Sequence, residues 1–285
     1  LHYELRAYGI MYRSDLFEEA GIAAPKTVDE TVAALQHFTK DGNEGVTASF
    51  NPASSTAAME WLLPTVVSLG GKVIAEDGSA DFQGPAMEQA LQMYADLINE
   101  HKVMSLETTL LSVDDARSVA TSGQAVAHSN GTHNLSTMQE QSAEGAQWTY
   151  MPYPALDPTH PIPLSLQGWN LVIPKKAEHP DLAWKLIELW DSPEIQLRQA
   201  IAAGYLPMRR SVAQSPEFQT EGNVAFGLPA ILEYAAANPL RFTWPENSDA
   251  LNDVLSQMVQ QVITGQMTPG EATVWGEEAY EQLRR

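Results

Sequence analysis

Cysteine is absent from all 285 residues, which excludes disulfide scaffolds, thiol nucleophiles and thiolate metal sites. Positive charge is scarce: 16 Lys and Arg stand against 36 Asp and Glu, a formal net charge of −20. A surface this acidic repels phosphate backbones and anionic headgroups, so neither nucleic acid nor an acidic membrane surface suits it as a partner. No run approaches the roughly 18 apolar residues that cross a bilayer. The longest, Trp61-Leu62-Leu63-Pro64-Thr65-Val66-Val67, is short and interrupted. The chain opens Leu1-His2-Tyr3 without initiator Met, basic leader or apolar leader core, so any targeting peptide is expected to lie outside this sequence.

Catalytic signatures are missing as well. There is no glycine-rich dinucleotide or P-loop fingerprint, no H-E-x-x-H zinc motif and no G-x-S-x-G elbow. His128 and His133 flank the turn Ser129-Asn130-Gly131 without a third ligand at useful spacing, and read as loop histidines. Asp41 to Gly45 fails as a calcium loop, because Gly45 stands where an Asp or Asn is needed and no closing Glu follows. The adjacent carboxylates Asp114-Asp115 and Glu277-Glu278 do not face one another on a helix and read as solvated faces. No cofactor or metal is implied. A hydrolase that uses two carboxylates stays open as an alternative, since a fold alone could bring such a pair together.

What is present is a globular α/β pattern, with 44% hydrophobic and 18% charged residues and length for roughly two domains at ~100–200 residues each. Thr27-Val28-Asp29-Glu30 forms a capping box ahead of the stripe Val28, Val32, Leu35. Pro85 and Pro180 suit first helical positions, the second leading the stripe Leu182, Ala183, Leu186, Ile187, Trp190. Leu251 to Val262 reads as an amphipathic helix stopped at Gly265, and Thr268-Pro269-Gly270-Glu271 starts the last one. Four runs are expected as strands: Val46 to Phe50, Gln124 to His128, Gln147 to Met151 and Asn170 to Ile173. Alternating strands and helices argue for α/β architecture. Five prolines between Pro152 and Pro163 mark a surface connection or domain crossing.

Aromatic residues are the positive signal, with 7 Trp, 9 Tyr and 7 Phe. Several stand beside turns rich in amides and guanidinium groups: Gln167-Gly168-Trp169-Asn170, Gly204-Tyr205-Leu206-Pro207 with Arg209 and Arg210, and the stretch from Ser129 to Asn134. A ring packs against the C–H face of a pyranose while paired donors and acceptors take its hydroxyls, so this company suits a sugar.

Tyr8 to Gly21, Pro25-Lys26-Thr27 with Glu30, Trp61 through Gly71, Ser122 to Val126 with Asn130-Gly131, Gly168 to Lys176 with His179-Pro180 and Ala183-Trp184, Gly204 to Arg209, and Gly265 to Ala272 follow one another along the chain. In that order they resemble the successive features of the extracellular solute-binding proteins of bacterial ABC sugar importers. Each motif is loose; their ordered sum is specific. The resemblance implies a type II periplasmic-binding-protein fold, two α/β lobes joined by a hinge with the ligand between them, here with the first lobe incomplete. Residues 1–152 would form mostly the second lobe, 162–203 a returning segment of the first, and 207–285 C-terminal helices of the second. About forty residues are too few for an independent first-lobe core.

The same resemblance implies capture of a sugar in the periplasm or at the extracellular face of the cytoplasmic membrane, free or lipid-anchored, and delivery to permease subunits without chemistry. It points to Trp169 and Trp61 as stacking faces, Asn130, Gly131, His133, Gly168 and Asn170 as polar contacts or close approaches, Arg6 and Arg209 as orienting charges, and Tyr8 and Tyr205 as wall residues. Two departures bear on the ligand. His133 stands where the family often has a stacking Trp, and Arg6 where some members carry a carboxylate. An acidic ligand such as a uronate or glycerophosphate is therefore a variant, by charge-assisted pairing with guanidinium. The alternative for Arg6 is a salt bridge to an acidic neighbour.

Overall fold

A computed structural model of the chain describes residues 1–40, 43–51, 53, 58–220 and 227–284. Among them, five strands form a mixed sheet: β1 Arg6–Arg13, β2 Glu44–Thr47, β3 Ala125–Gly131, β4 Trp148–Met151 and β5 Leu166–Gln167. The order is β2-β3-β1-β4, with β5 pairing the opening residues of β1; only the β2–β3 pair is parallel. Twelve α-helices accompany it: α1 Ser14–Glu19, α2 Val28–Phe38, α3 Leu63–Ser68, α4 Pro85–Ala95, α5 Val113–Thr121, α6 Leu135–Gln141, α7 Pro180–Trp190, α8 Pro193–Ala203, α9 Arg210–Ala213, α10 Leu228–Ala237, α11 Ser248–Ile263 and α12 Pro269–Arg284. A π-helical turn, Ala58–Leu62, leads into α3.

Strand alternation on β1 explains the layering. Tyr8 and Ile10 join one core with side chains from α2, α3, α4, α11 and α12, while Ala7 and Met11 join a second with α6, α8 and α10. Both faces of the sheet are thus covered, which is why β1 is buried from Ala7 to Met11. The capping box of α2 is present, with Glu30 N donating to Thr27 Oγ1 at 3.2 Å and Glu30 Oε2 accepting from Thr27 N. Thr268 and Glu271 make the same reciprocal pair at the start of α12. Longest of the amphipathic helices, α11 and α12 lie against α4 and close the first core through Met258, Val262 and Tyr280.

Several expectations need correction. The central strand β1 is not among the four runs expected to be strands. Asn170 to Ile173 forms no strand; Asn170 contributes one isolated bridge to His2. The proline-rich connection is not wholly superficial, because Tyr153, Pro154 and Ala155 and then Ile162 to Ser165 are buried. The apolar stripe of α7 does not face a core: Ile187 alone is buried in that helix. His128 and His133 are not loop histidines. His128 lies on β3 and is fully buried, and His133 is mostly enclosed. Glu277 is not simply solvated, since its carboxylate accepts from the Phe82 and Gln83 amides. Asp41 and Gly42 of the rejected calcium loop lie outside the described residues. No helix of the described residues is long and apolar enough to cross a membrane.

Candidate functional site

Three segments converge where β1 begins. Leu1 to Arg6 runs alongside residues 165–171: Tyr3 N donates to Trp169 O, Leu171 N to Leu1 O and Tyr8 N to Ser165 O, at 2.8–3.1 Å. From the other side, Leu206 N donates to Leu5 O at 2.9 Å. Gly168 permits the first of these approaches, for a Cβ there would fall on the Glu4 carbonyl oxygen. The backbone therefore delivers Arg6, Trp169 and Tyr205 to one place. The Arg6 guanidinium carbon stands 5.8 Å from the Trp169 ring centroid and 5.6 Å from that of Tyr205, within cation–π reach of both. Trp169 remains 57% exposed, so it still offers area to a ligand.

Arg6 is held by Glu4. Nε and Nη2 of Arg6 donate to the same carboxylate oxygen at 2.6 and 2.5 Å, and the Glu4 side chain is only 1% exposed. The spacing is the cause: residues two apart on an extended chain share a face. Gln167, from β5, donates to Glu60 Oε1 at 3.4 Å, tying the returning segment to the π-helical turn ahead of α3.

Deeper in, Tyr8 meets the His133 ring edge-on at 6.1 Å. Burial raises the Tyr8 phenol above its usual range, helped by the negative charge of Glu60 and opposed by Arg6. His133 is held at about 3 by burial first, then by Arg6 and Arg117, so it is a neutral imidazole at physiological pH. Burial also pushes Tyr150 and Tyr153 up, so all three phenols keep their protons. Around His133, Asn134 Nδ2 reaches His133 Nε2 and Asn130 Oδ1, both at 3.0 Å. Gly131 lies tight against His133, since a Cβ there would meet Nδ1 at 2.7 Å.

The expected site residues thus divide. Arg6, Gly168, Trp169 and Tyr205 assemble, and Tyr8, His133 and Gly131 form a second, buried group. Asn130 belongs to an internal network, its Oδ1 accepting from Gly131 N and Asn134 Nδ2, and is not an open polar contact. Asn170 is exposed beside Trp169. Arg209 is engaged elsewhere: its side chain clamps Asp191 at the end of α7, with Nε donating to the backbone oxygen at 2.6 Å and Nη2 to the carboxylate. Trp61 is corrected outright. It is 1% exposed, with Tyr153 stacked on one face, and serves as a core ring. Glu4 and Glu60 are not among the residues expected at the site, and Gln167 is expected only as part of the turn before Trp169; the Glu4–Arg6 spacing was the available signal.

Comparison with known proteins places the chain. A family model described as bacterial extracellular solute-binding protein matches residues 3–225. The structure resembles the maltose-bound MalE3 of T. maritima, with 27% identity over 99% of this chain and 72% of that one, at a TM-score of 0.83. It also resembles an ABC transporter solute-binding protein from Thermotoga lettingae TMO bound to alpha-D-tagatose, at 23% identity, TM-score 0.75, covering 99% and 71% of the two chains. The maltotriose-bound MalE domain from Bdellovibrio bacteriovorus matches at 18% identity, TM-score 0.78, over 100% and 72%. Among the described residues no group of three or more His, Asp or Glu side chains is arranged to hold a metal.

Proposed function

The chain belongs to the bacterial extracellular solute-binding protein family, and we propose on that footing that it captures a sugar or sugar derivative outside the cytoplasmic membrane and passes it unchanged to the permease of an ABC transporter. The observation that carries this reading is the meeting of Arg6, Trp169 and Tyr205 where three separate segments cross at the root of β1. An exposed indole offers the apolar face that a sugar ring covers, and the guanidinium beside it supplies fixed donors for hydroxyls. The relative from T. maritima is described as maltose-bound, which places a carbohydrate in the same fold.

In this reading residues 1–152 are mostly second lobe, 162–203 are the returning segment of the first with α8 seated at its boundary on α6, and the helices of 207–285 belong to the second. The exposed apolar side of α7 lies on that returning segment. Ligand binding favours the closed arrangement of the lobes because only that state makes both sets of contacts. The compartment is the periplasm or the outer face of the membrane, with the chain free or lipid-anchored.

Calorimetry with maltose, tagatose and ribitol tests the reading directly. At least one polyol should bind saturably and raise thermal stability, and Trp169→Ala should weaken it more than tenfold. An affinity that stays within a factor of two would remove Trp169 from the site. Incubation with oligosaccharides should release no new reducing ends; their appearance would favour a hydrolase.

A further inference from the structure

The buried contact between Glu4 and Arg6 carries more than local stability. Arg6 is the cation that lies beside the Trp169 and Tyr205 rings of the proposed site, and a lone guanidinium there would favour a carboxylate or phosphate through paired charge-assisted hydrogen bonds. It is not alone. Both Nε and Nη2 point at Glu4 Oε1, and the Glu4 carboxylate is almost wholly removed from water. In such surroundings the attraction between the two is weakly screened. An anionic ligand on Arg6 would have to share it with the Glu4 carboxylate, and that like-charge contact opposes the gain from the new pair. His133 adds no positive charge, and Glu60 sets a further carboxylate near Tyr8.

Resting on the carbohydrate-binding reading, we infer that Glu4 is the specificity determinant of the site: it neutralises Arg6 so that the site accepts uncharged polyols and rejects uronates and sugar phosphates. Arg6 then works as a rigid donor and as a support for the Trp169 and Tyr205 rings, with its remaining N–H groups turned to hydroxyl oxygens. Glu4 itself acts through Arg6 and is a positioning residue. The acidic ligands that Arg6 alone would favour are therefore excluded by the residue two positions before it.

The test pairs glucose with glucuronate and maltose with maltobionate in calorimetry and thermal-shift assays on wild type, Glu4→Gln and the double variant Glu4→Gln/Arg6→Gln. Wild type should prefer the neutral member of each pair by at least tenfold. Glu4→Gln, which leaves an unshared guanidinium, should move that ratio at least tenfold toward the acid. The double variant should show no gain, which ties the effect to Arg6 and not to loosened packing. A ratio unchanged within twofold in Glu4→Gln, or a wild type that binds the acid as well as the neutral sugar, overturns the inference and leaves carbohydrate binding standing. If Glu4→Gln does not fold by circular dichroism, the wild-type preference and the double variant decide. No stabilisation of wild type by any member, and none by tagatose or ribitol, removes both the inference and the reading beneath it.

Discussion

Trp61 lies flat against Tyr153, with ring centroids 4.6 Å apart and planes within 7° of parallel. Tyr94 meets the same indole edge-on at 5.0 Å, and Tyr153 Oη is 3.0 Å from Ser129 Oγ. This stack joins the turn ahead of α3 to β3 and the stretch after β4, so it is a keystone of the larger core. The two tryptophans expected to share one task therefore differ in kind: Trp61 is enclosed, Trp169 half exposed.

Trp61→Ala should cost about 3–5 kcal/mol in urea denaturation, from lost burial and the cavity left behind. Trp169→Ala should stay within about 0.5 kcal/mol of wild type, as surface changes usually do. Equal losses for the two would contradict the division of roles.

Glu277 offers a second, purely structural prediction. Its carboxylate accepts from the backbone of Phe82 and Gln83 at 2.9 and 3.1 Å and from the Gln83 side chain at 2.5 Å. Glu281 takes the Ala80 amide at 3.0 Å. One face of α12 thus supplies the acceptors for the backbone amides of Ala80, Phe82 and Gln83. Glu277→Ala should destabilise the chain by about 1.5–3 kcal/mol, the range for hydrogen bonds to a charged acceptor. Amide exchange of Phe82 and Gln83 should quicken before the rest of the fold.

Local signals were legible in the sequence wherever a helix carries its own chemistry. The Thr27–Glu30 and Thr268–Glu271 boxes and the periodic α11 all appear at the expected places. β3 and β4 overlap two of the expected strands. β1 was not legible because both its faces are buried and its ends are arginines, which hides the period of two. Periodicity on α7 told which side is apolar, not whether anything lies against it. Of the site, the sequence marked Arg6, Trp169 and Tyr205 but not their meeting, which depends on backbone pairing between segments more than 150 residues apart.

Acid should destabilise the fold in a defined window. Burial, reinforced by Arg117 and opposed by a hydrogen bond to the Thr47 backbone oxygen, holds His128 at about 4 against an ordinary 6.5. Between those values the unfolded chain takes up a proton that the folded chain refuses. Stability is therefore full above pH 6.5 and falls as pH drops toward 4, by about 3 kcal/mol for this residue. Asp157, lowered to about 2 by its bonds from Thr159 and His160, contributes only below its ordinary 3.8 and does not overlap. His133, held at about 3, loses stability through the same window, so His128→Gln should reduce the slope from pH 6.5 to 4 in urea titrations without abolishing it. An unchanged slope would assign the acid sensitivity elsewhere.

Gly168 is where sequence and site meet most closely. An added methyl would strike the Glu4 carbonyl, a backbone atom that cannot rotate away. Gly168→Ala should therefore cost about 1–3 kcal/mol, as overpacking does, and should also shift Trp169 relative to Arg6. Its sugar affinity should fall together with its stability, whereas Trp169→Ala separates the two. A Gly168→Ala variant with unaltered affinity would mean that the Glu4–Trp169 approach does not position the ring.

The apolar side of α7 makes the last prediction. Leu182, Leu186, Leu189 and Trp190 are each 39–60% exposed, while only Ile187 of that helix is buried. An apolar patch of this kind on a free surface drives association. The net charge of −20 opposes that association at long range, but salt screens the repulsion and leaves the apolar contact intact. Sedimentation should accordingly show self-association that grows from 50 to 500 mM NaCl. Leu186→Glu/Leu189→Glu should abolish it while stability stays within about 0.5 kcal/mol, because neither side chain is packed in this fold. Association that is unaffected by the substitutions, or that weakens with salt, would locate the contact on another surface.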